Sequence, residues 1–311
     1  MFAVTAVESP RNLPILDSAV QSLPRRRFGR TEESVPVVGL GTGPGGFGLP
    51  DDEAIRLYHT AIDRGITYID TAPGYARAHV QWGEVLPSRR SEVFLVTKCF
   101  TPTAEEALSI HEQSLKDLKV EQVDLLYAHC VGSYEPEQLL APDGVFAGLL
   151  EAKRRGWTRF IGFTSHHKPR VAEAILRAAI AGDLELDAVM LAMNYADRYT
   201  YGFENRVLPL AQQLDLGVAV MKVYGGAREM NYEKNRDSAL GSRKHWPAFR
   251  YALSLPGSST AVIGMYTEAE IDQNIAWARQ WTALTAEDSE RLDVEGRELA
   301  AEWGAHFGDV E

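Results

Sequence analysis

The sequence predicts an α/β protein built as a single (β/α)8 TIM barrel with its active site at the C-terminal ends of the strands. Three observations carry this. Eight short apolar runs read as strands and alternate with segments of helical period. The runs are apolar on both faces, as strands of a parallel sheet covered by helices are. Polar residues gather where the runs stop. The 311 residues, 45% of them hydrophobic, suffice for one barrel of about 250 residues with extensions. A doubly wound open sheet is the rival, but GTGPGGFG passes through Leu49 and Pro50 before any helix begins, so the glycines do not open a helix as a dinucleotide fingerprint requires. The chain divides into an N-terminal extension, 1–24, and one barrel domain with its C-terminal tail, 25–311.

In order, RRRFGRTEESV gives a short β-like start, and Val37 to Leu40 is the first barrel strand, ending in a glycine-rich turn from Gly41 to Phe47. Asp51 and Asp52 are suited to cap a helix in which Ala54, Ile55, Leu57, Tyr58, Ala61 and Ile62 recur at helical spacing. The second strand holds Ile66, Tyr68 and Ile69 and breaks at Pro73 and Gly74; a short helix follows around Leu86. VFLVTK (93–98), a helix from Ala104 to Leu118, and DLLYAH ending at His129 come next. Then a helix from Val145 to Arg155, FIGFTS (160–165), a helix from Val171 to Ala181, AVMLAMN ending at Asn194, a helix from Arg206 to Leu214, and VAVMKV ending at Val223 continue the alternation. TAVIGM (260–265) is the eighth strand, followed by a helix from Glu268 to Trp281. The segment from Gly225 to His245 is the longest break in the pattern and is expected to act as a flap over the site.

Composition excludes several roles. Lys plus Arg total 32 against 43 Asp plus Glu, and the net charge of −11 argues against nucleic acid and anionic membranes as partners. Two cysteines make no disulfide framework, no run of about 18 apolar residues could span a bilayer, and MFAVTAV gives way at once to ESPRN rather than to a secretory leader. The expectation is a cytoplasmic protein whose partner is a small molecule. Cys99, Cys130, His79, His129 and His166 lack CxxC or HxxxH spacing, so no metal site is expected and both cysteines are expected to be free thiols.

The strand ends select the candidate residues. Asp70 and Tyr75 follow strand two, Lys98 closes strand three, and His129 closes strand four; Thr164, Ser165 and Asn194 close strands five and six. A lysine in an otherwise apolar strand needs a carboxylate partner, and Asp70 is available. A lysine cation beside Tyr75 is expected to lower the phenol's pKa and make it a competent acid, with His129 donating a hydrogen bond to the same carbonyl oxygen. Each residue alone has a plainer role, as turn cap, packed aromatic, snorkelling lysine or core histidine; their joint placement favours chemistry. Tyr134 and Tyr199 are expected at the pocket wall, and Trp246, like the other tryptophans, is expected to serve in packing, with a place facing the substrate as the alternative.

With FGRTEESVPVVGLGTG, IDTAPGY, VFLVTK, SLKDL, VDLLYAH, IGFTSH, LSLPGSSTAVIG and EIDQN in order from Phe28 to Trp281, the chain resembles the aldo-keto reductases. The resemblance implies an NAD(P)H-dependent enzyme that interconverts an aldehyde or ketone with its alcohol through Asp70, Tyr75, Lys98 and His129. It implies that Thr164, Ser165 and Asn194 hold the carboxamide, that Met221 stacks on the nicotinamide, that Lys222, Val223, Tyr224, Gly264, Met265 and Tyr266 line the pyrophosphate and ribose, and that Gln273 and Asn274 reach the adenine. NADP(H) is the family default, with NAD(H) as the alternative. A nucleotide-binding redox-sensing subunit without turnover is the other class the resemblance allows. The chain departs from the family pattern in reading ARAH after Tyr75, where Gly, Ser and Glu are expected, in Met190 where glutamine is frequent, and in Glu270 where an arginine often meets the 2′-phosphate.

Overall fold

A computed structural model describes residues 22–227, 231–234 and 237–311. Of the predicted extension only 22–24 fall among them; Leu23 is buried and the Pro24 carbonyl accepts from Val37 N at 2.9 Å. An antiparallel hairpin, β1 (Arg25–Arg27) with β2 (Ser34–Pro36), precedes the barrel. The barrel strands are β3 (Val38–Gly41), β4 (Tyr68–Asp70), β5 (Phe94–Cys99), β6 (Val123–Ala128), β7 (Thr158–Ser165), β8 (Ala188–Ala192), β9 (Gly217–Met221) and β10 (Ser258–Gly264). All pair in parallel and in chain order, and β10 closes on β3. The predicted fold class is the observed one.

Strand alternation sorts side chains between two apolar layers. Inward residues, among them Tyr68, Phe94, Val96, Leu125, Tyr127, Met190, Ala219, Met221 and Val262, fill the barrel with Phe28 at its base. Phe28 meets Tyr68 and Phe94 edge-on at ring distances of 5.7 and 5.6 Å. Outward residues pack beneath the helices.

Those helices are α1 (Gly43–Gly48), α2 (Asp51–Asp63), α3 (Ala78–Arg89), α4 (Ala104–Leu118), α5 (Pro136–Leu139), α6 (Val145–Arg154), α7 (Pro169–Ala181), α8 (Phe203–Arg206), α9 (Leu208–Gln213), α10 (His245–Ser254), α11 (Glu268–Gln280) and α12 (Ala286–Trp303). The structure corrects four local expectations. The glycine-rich segment is a helical turn, α1, because Pro44 at its start already has a helical φ and the glycines let neighbours close in. Asp51 and Asp52 do not cap α2; Pro50 holds the cap position and Asp51 is drawn to Arg77 and Gln81. The helix around Leu86 runs twelve residues despite Pro87. The predicted helix from Arg206 to Leu214 is broken at Val207, before Pro209. Helices α10 and α12 were not predicted.

The segment after β9 bends back over the mouth through an isolated bridge, Ala227 with Ser238, and Tyr232 stacks on Phe47 at 5.1 Å. The flap expectation fits this placement for its described part; 228–230 and 235–236 lie outside the described residues. After α12 the chain crosses the mouth a second time. Phe307 N donates to Tyr201 Oη at 2.8 Å, and Tyr201 Oη donates to the Gly308 carbonyl at 3.1 Å.

Phe28 lies at the barrel base, so Phe28→Ala opens a cavity that the surrounding strands cannot collapse into. Urea unfolding of the variant is expected to show a loss of about 3–5 kcal/mol with the barrel's circular dichroism retained.

Candidate active site

Asp70 ends β4 on the inward face it shares with Tyr68, and Lys98 sits one inward step above Val96 on β5. The Lys98 ammonium lies 2.7 and 2.8 Å from the two Asp70 oxygens and donates to the Thr71 carbonyl at 2.9 Å. Both side chains are 5% exposed or less. Burial pushes Asp70 up and Lys98 down from their ordinary pKa values, and each partner opposes the shift of the other.

Tyr75 stands on the turn beyond. Its amide donates to Ala72 O at 3.0 Å, and Ala78 N donates to Tyr75 O at 2.9 Å. Between them Ala76, at the family's glycine position, has φ 45°, a left-handed conformation that non-glycine residues rarely adopt. The turn lies directly on α1: a Cβ on Gly46 would fall 2.0 Å from the Tyr75 carbonyl. Lys98 Nζ is 4.8 Å from the Tyr75 ring centroid. Even so, burial, followed by the Asp70 charge, raises the phenol well above its ordinary pKa. This reverses the expected direction, since Asp70 balances much of the charge of Lys98 and the attraction that remains is smaller than the cost of desolvation.

His129 is fixed through its amide, which donates to Cys99 O at 2.8 Å, and its ring meets the Tyr75 ring edge-on at 6.2 Å. Burial, then the charges of Lys98 and Lys222, bring its pKa down to about 3, so the imidazole is neutral and carries one N–H. Phe100 packs on the other side of His129 at 6.0 Å and is half exposed.

A cavity of about 290 Å³ runs from Asp70 and Tyr75 past β9 and β10 to α11. Of the residues proposed for cofactor binding, Met221, Lys222, Val223, Tyr224, Gly264, Tyr266, Gln273 and Asn274 line it. The other four do not. Thr164 accepts from Cys130 N at 2.8 Å, and Ser165 donates to His167 O at 3.0 Å; both are fully buried. Asn194 donates to Asp197 Oδ2 at 2.5 Å and to the Lys222 carbonyl at 3.0 Å, and accepts from Ala196 N and Asp197 N. The Met265 side chain belongs to the outer core. Asn274 is committed as well, accepting from Tyr224 Oη at 2.5 Å and donating to the Glu270 carbonyl.

Sequence reasoning missed several lining residues. His166 stands 6.1 Å from His129 with its Nδ1 buried and unpartnered among the described residues, and Pro44, Tyr232 and Trp277 line the same space. Tyr199 instead packs beneath α12 against Gly296, and Trp246 packs on Phe249 and Trp277. Tyr134 does stand near the mouth, against Phe100. Both cysteines are free, and among the described residues no group of three His, Cys, Asp or Glu side chains is placed to hold a metal ion.

A family model described as "Aldo/keto reductase family" matches residues 37–247. The chain belongs to the aldo/keto reductase family. Pyridoxal 4-dehydrogenase of Microbacterium luteolum is 24% identical across 85% of this chain and 97% of that protein. The 6-dehydroglucose reductase of Novosphingobium aromaticivorans is 27% identical across 77% and 87%. An aldo-keto reductase from Bacillus halodurans shares the fold at a TM-score of 0.69 and 20% identity, covering 88% of this chain and 96% of that one. The aldo/keto reductase assignment makes the protein an oxidoreductase of carbonyl groups, in a family that binds nicotinamide dinucleotides.

Removing Lys98 leaves Asp70 buried without its cation. Lys98→Met is expected to lose about 3–5 kcal/mol of stability. The carboxyl pKa in the folded variant rises further above its unfolded value, so the variant is more stable near pH 5 than near pH 8; chemical denaturation at the two pH values measures the difference.

Proposed function

We propose that the protein reduces an aldehyde or ketone to the alcohol, or runs the reverse reaction, with Tyr75 as the proton donor. The observation that carries this is the convergence of the Tyr75 phenol, the Lys98–Asp70 pair and the neutral His129 at one end of a cavity that continues to α11. When bound along this cavity, a reduced dinucleotide would supply the hydride for the carbonyl carbon. As negative charge grows on the carbonyl oxygen, Tyr75 Oη gives up its proton there, and the Lys98 ammonium stabilises the phenolate that remains. The buried phenol is protonated at rest, so the proton is present for transfer. His129 contributes a hydrogen bond from its N–H and, being neutral, does not compete as the acid. Asp70 holds Lys98 in position. The exposed aromatics Phe47 and Phe100 flank Tyr75 and His129 and give the substrate's carbon skeleton an apolar surface.

The lining of the cavity supports dinucleotide binding. Gly41, Gly43 and Gly264 present backbone to it, and Tyr224, stacked on His245 at 3.9 Å, presents an aromatic wall. At the α11 end, Glu270 accepts from Tyr266 N at 2.6 Å and Thr267 N at 3.0 Å, completing a capping box with Thr267. A carboxylate therefore takes the amides that an anion would use and repels a nearby 2′-phosphate by about 1 kcal/mol. We accordingly favour NAD(H) over NADP(H), the family default.

Absorbance of the reduced cofactor, followed against a panel of aldehydes, ketones and alcohols, tests the reading. Tyr75→Phe is expected to lower turnover by at least about 10²-fold while retaining dinucleotide binding. Tight binding with no turnover on any compound would instead favour the redox-sensing subunit. Glu270→Arg is expected to move the NADPH-to-NADH ratio of kcat/KM upward by about tenfold; an unmoved ratio would remove Glu270 from nucleotide selection.

A further inference from the structure

Lys222 is the first residue after β9, and its side chain enters the cavity. Its backbone has φ 57°, an uncommon left-handed conformation for a long side chain, and the turn is held there by Asn194 Nδ2 and Gly225 N, both donating to the Lys222 carbonyl. The side chain runs along Gly226, where a Cβ would meet Lys222 Cδ at 3.2 Å, and its ammonium ends 5.7 Å from the ring centroid of Phe307. No carboxylate of the described residues lies within ion-pair distance. Asp70 is taken by Lys98, Glu270 caps α11 at the far end, and Asp237, the remaining acidic lining residue, acts on His245. Phe307 in turn stands 6.2 Å from His166, and His166 stands 6.1 Å from His129. The charge of Lys222 also acts on Asp70, Lys98 and His129, which places the ammonium toward the Tyr75 end of the cavity.

A cation in the cavity with no carboxylate partner among the described residues, in a protein with net charge −11, calls for an anion. We infer that Lys222 binds a carboxylate group carried by the carbonyl substrate, making the preferred substrates oxo acids or aldehyde acids. This rests on the reductase reading above. The charge match favours a carboxylate over a phosphate: one ammonium balances one negative charge, and the neighbouring His166 is neutral, its pKa lowered by burial and by Lys222 itself. His166 lines the cavity beside it. Lys222 is a specificity residue here, distinct from the pyrophosphate role that the family resemblance implied.

The test compares matched substrates in the full-length protein. kcat/KM is measured for succinic semialdehyde against butanal, and for glyceraldehyde 3-phosphate against glyceraldehyde, in the native protein, Lys222→Gln and Lys222→Arg; dinucleotide affinity is measured alongside by protein fluorescence. The carboxylate-to-neutral ratio is expected to fall at least about tenfold in Lys222→Gln, as for a lost charge-assisted hydrogen bond, and to recover in part in Lys222→Arg. An unchanged ratio with turnover intact overturns the inference and leaves the reductase reading standing. Weaker dinucleotide binding with an unchanged ratio also overturns it and returns Lys222 to the pyrophosphate. A fall confined to the phosphate pair overturns the choice of carboxylate. No turnover of any member by the native protein overturns both readings together.

Discussion

The Asp70–Lys98 pair is the constraint on which the top of the barrel depends. Two charges buried at the ends of adjacent strands are expensive to desolvate, and they persist only while each faces the other and the spare ammonium proton finds the Thr71 carbonyl. That requirement constrains the register of β4 against β5, where Asp70 stands opposite Val96. It also determines the electrostatics above. With the charge of Lys98 largely balanced by Asp70, burial dominates at Tyr75 and keeps its phenol protonated.

Tyr75 could not sit above that pair without the glycine-rich segment. Gly46 admits the Tyr75 carbonyl, Gly45 admits the Tyr58 hydroxyl, and Pro44 with Gly41 then forms one side of the cavity. Glycines that resemble a phosphate-binding loop thus serve first as a packing surface for the catalytic turn. Because α1 supports the turn so closely, the alanine at position 76 is held in a left-handed conformation without glycine's freedom. The ARAH departure from the family motif is accommodated by close packing.

Much of this was legible in the sequence, for a physical reason. Parallel strands must be apolar on both faces, so a charged or phenolic residue at a strand end stands out, and Asp70, Tyr75, Lys98 and His129 were all found where the strands stop. What those ends then do is decided by distant partners. Asn194 occupies the predicted strand end, yet its amide is taken by Asp197, three residues on, and by the carbonyl of Lys222, just beyond the next strand. Thr164 is claimed by the backbone of Cys130. Local pattern names the strand, but only the closed barrel shows which neighbour reaches the side chain first. Phe307 and His306 were less accessible still, since nothing near them in sequence indicates that the chain returns to Tyr201 and Asp197 across about a hundred residues.

That return connects the tail to the site by a continuous set of contacts. His306 Nε2 lies 2.8 Å from Asp197 Oδ1, and Asp197 accepts from Asn194, whose other amide proton holds the turn that presents Lys222. Phe307, stacked on His306 at 4.0 Å, forms the surface over which the Lys222 ammonium lies. The C-terminal crossing therefore supports the backbone of Lys222 on one side and its side chain on the other. The residues proposed for catalysis all come from the first half of the chain, and the last residues shape the part of the cavity that faces them. On the reading proposed above, selection among carbonyl compounds would reside there, apart in sequence from the groups proposed for proton transfer.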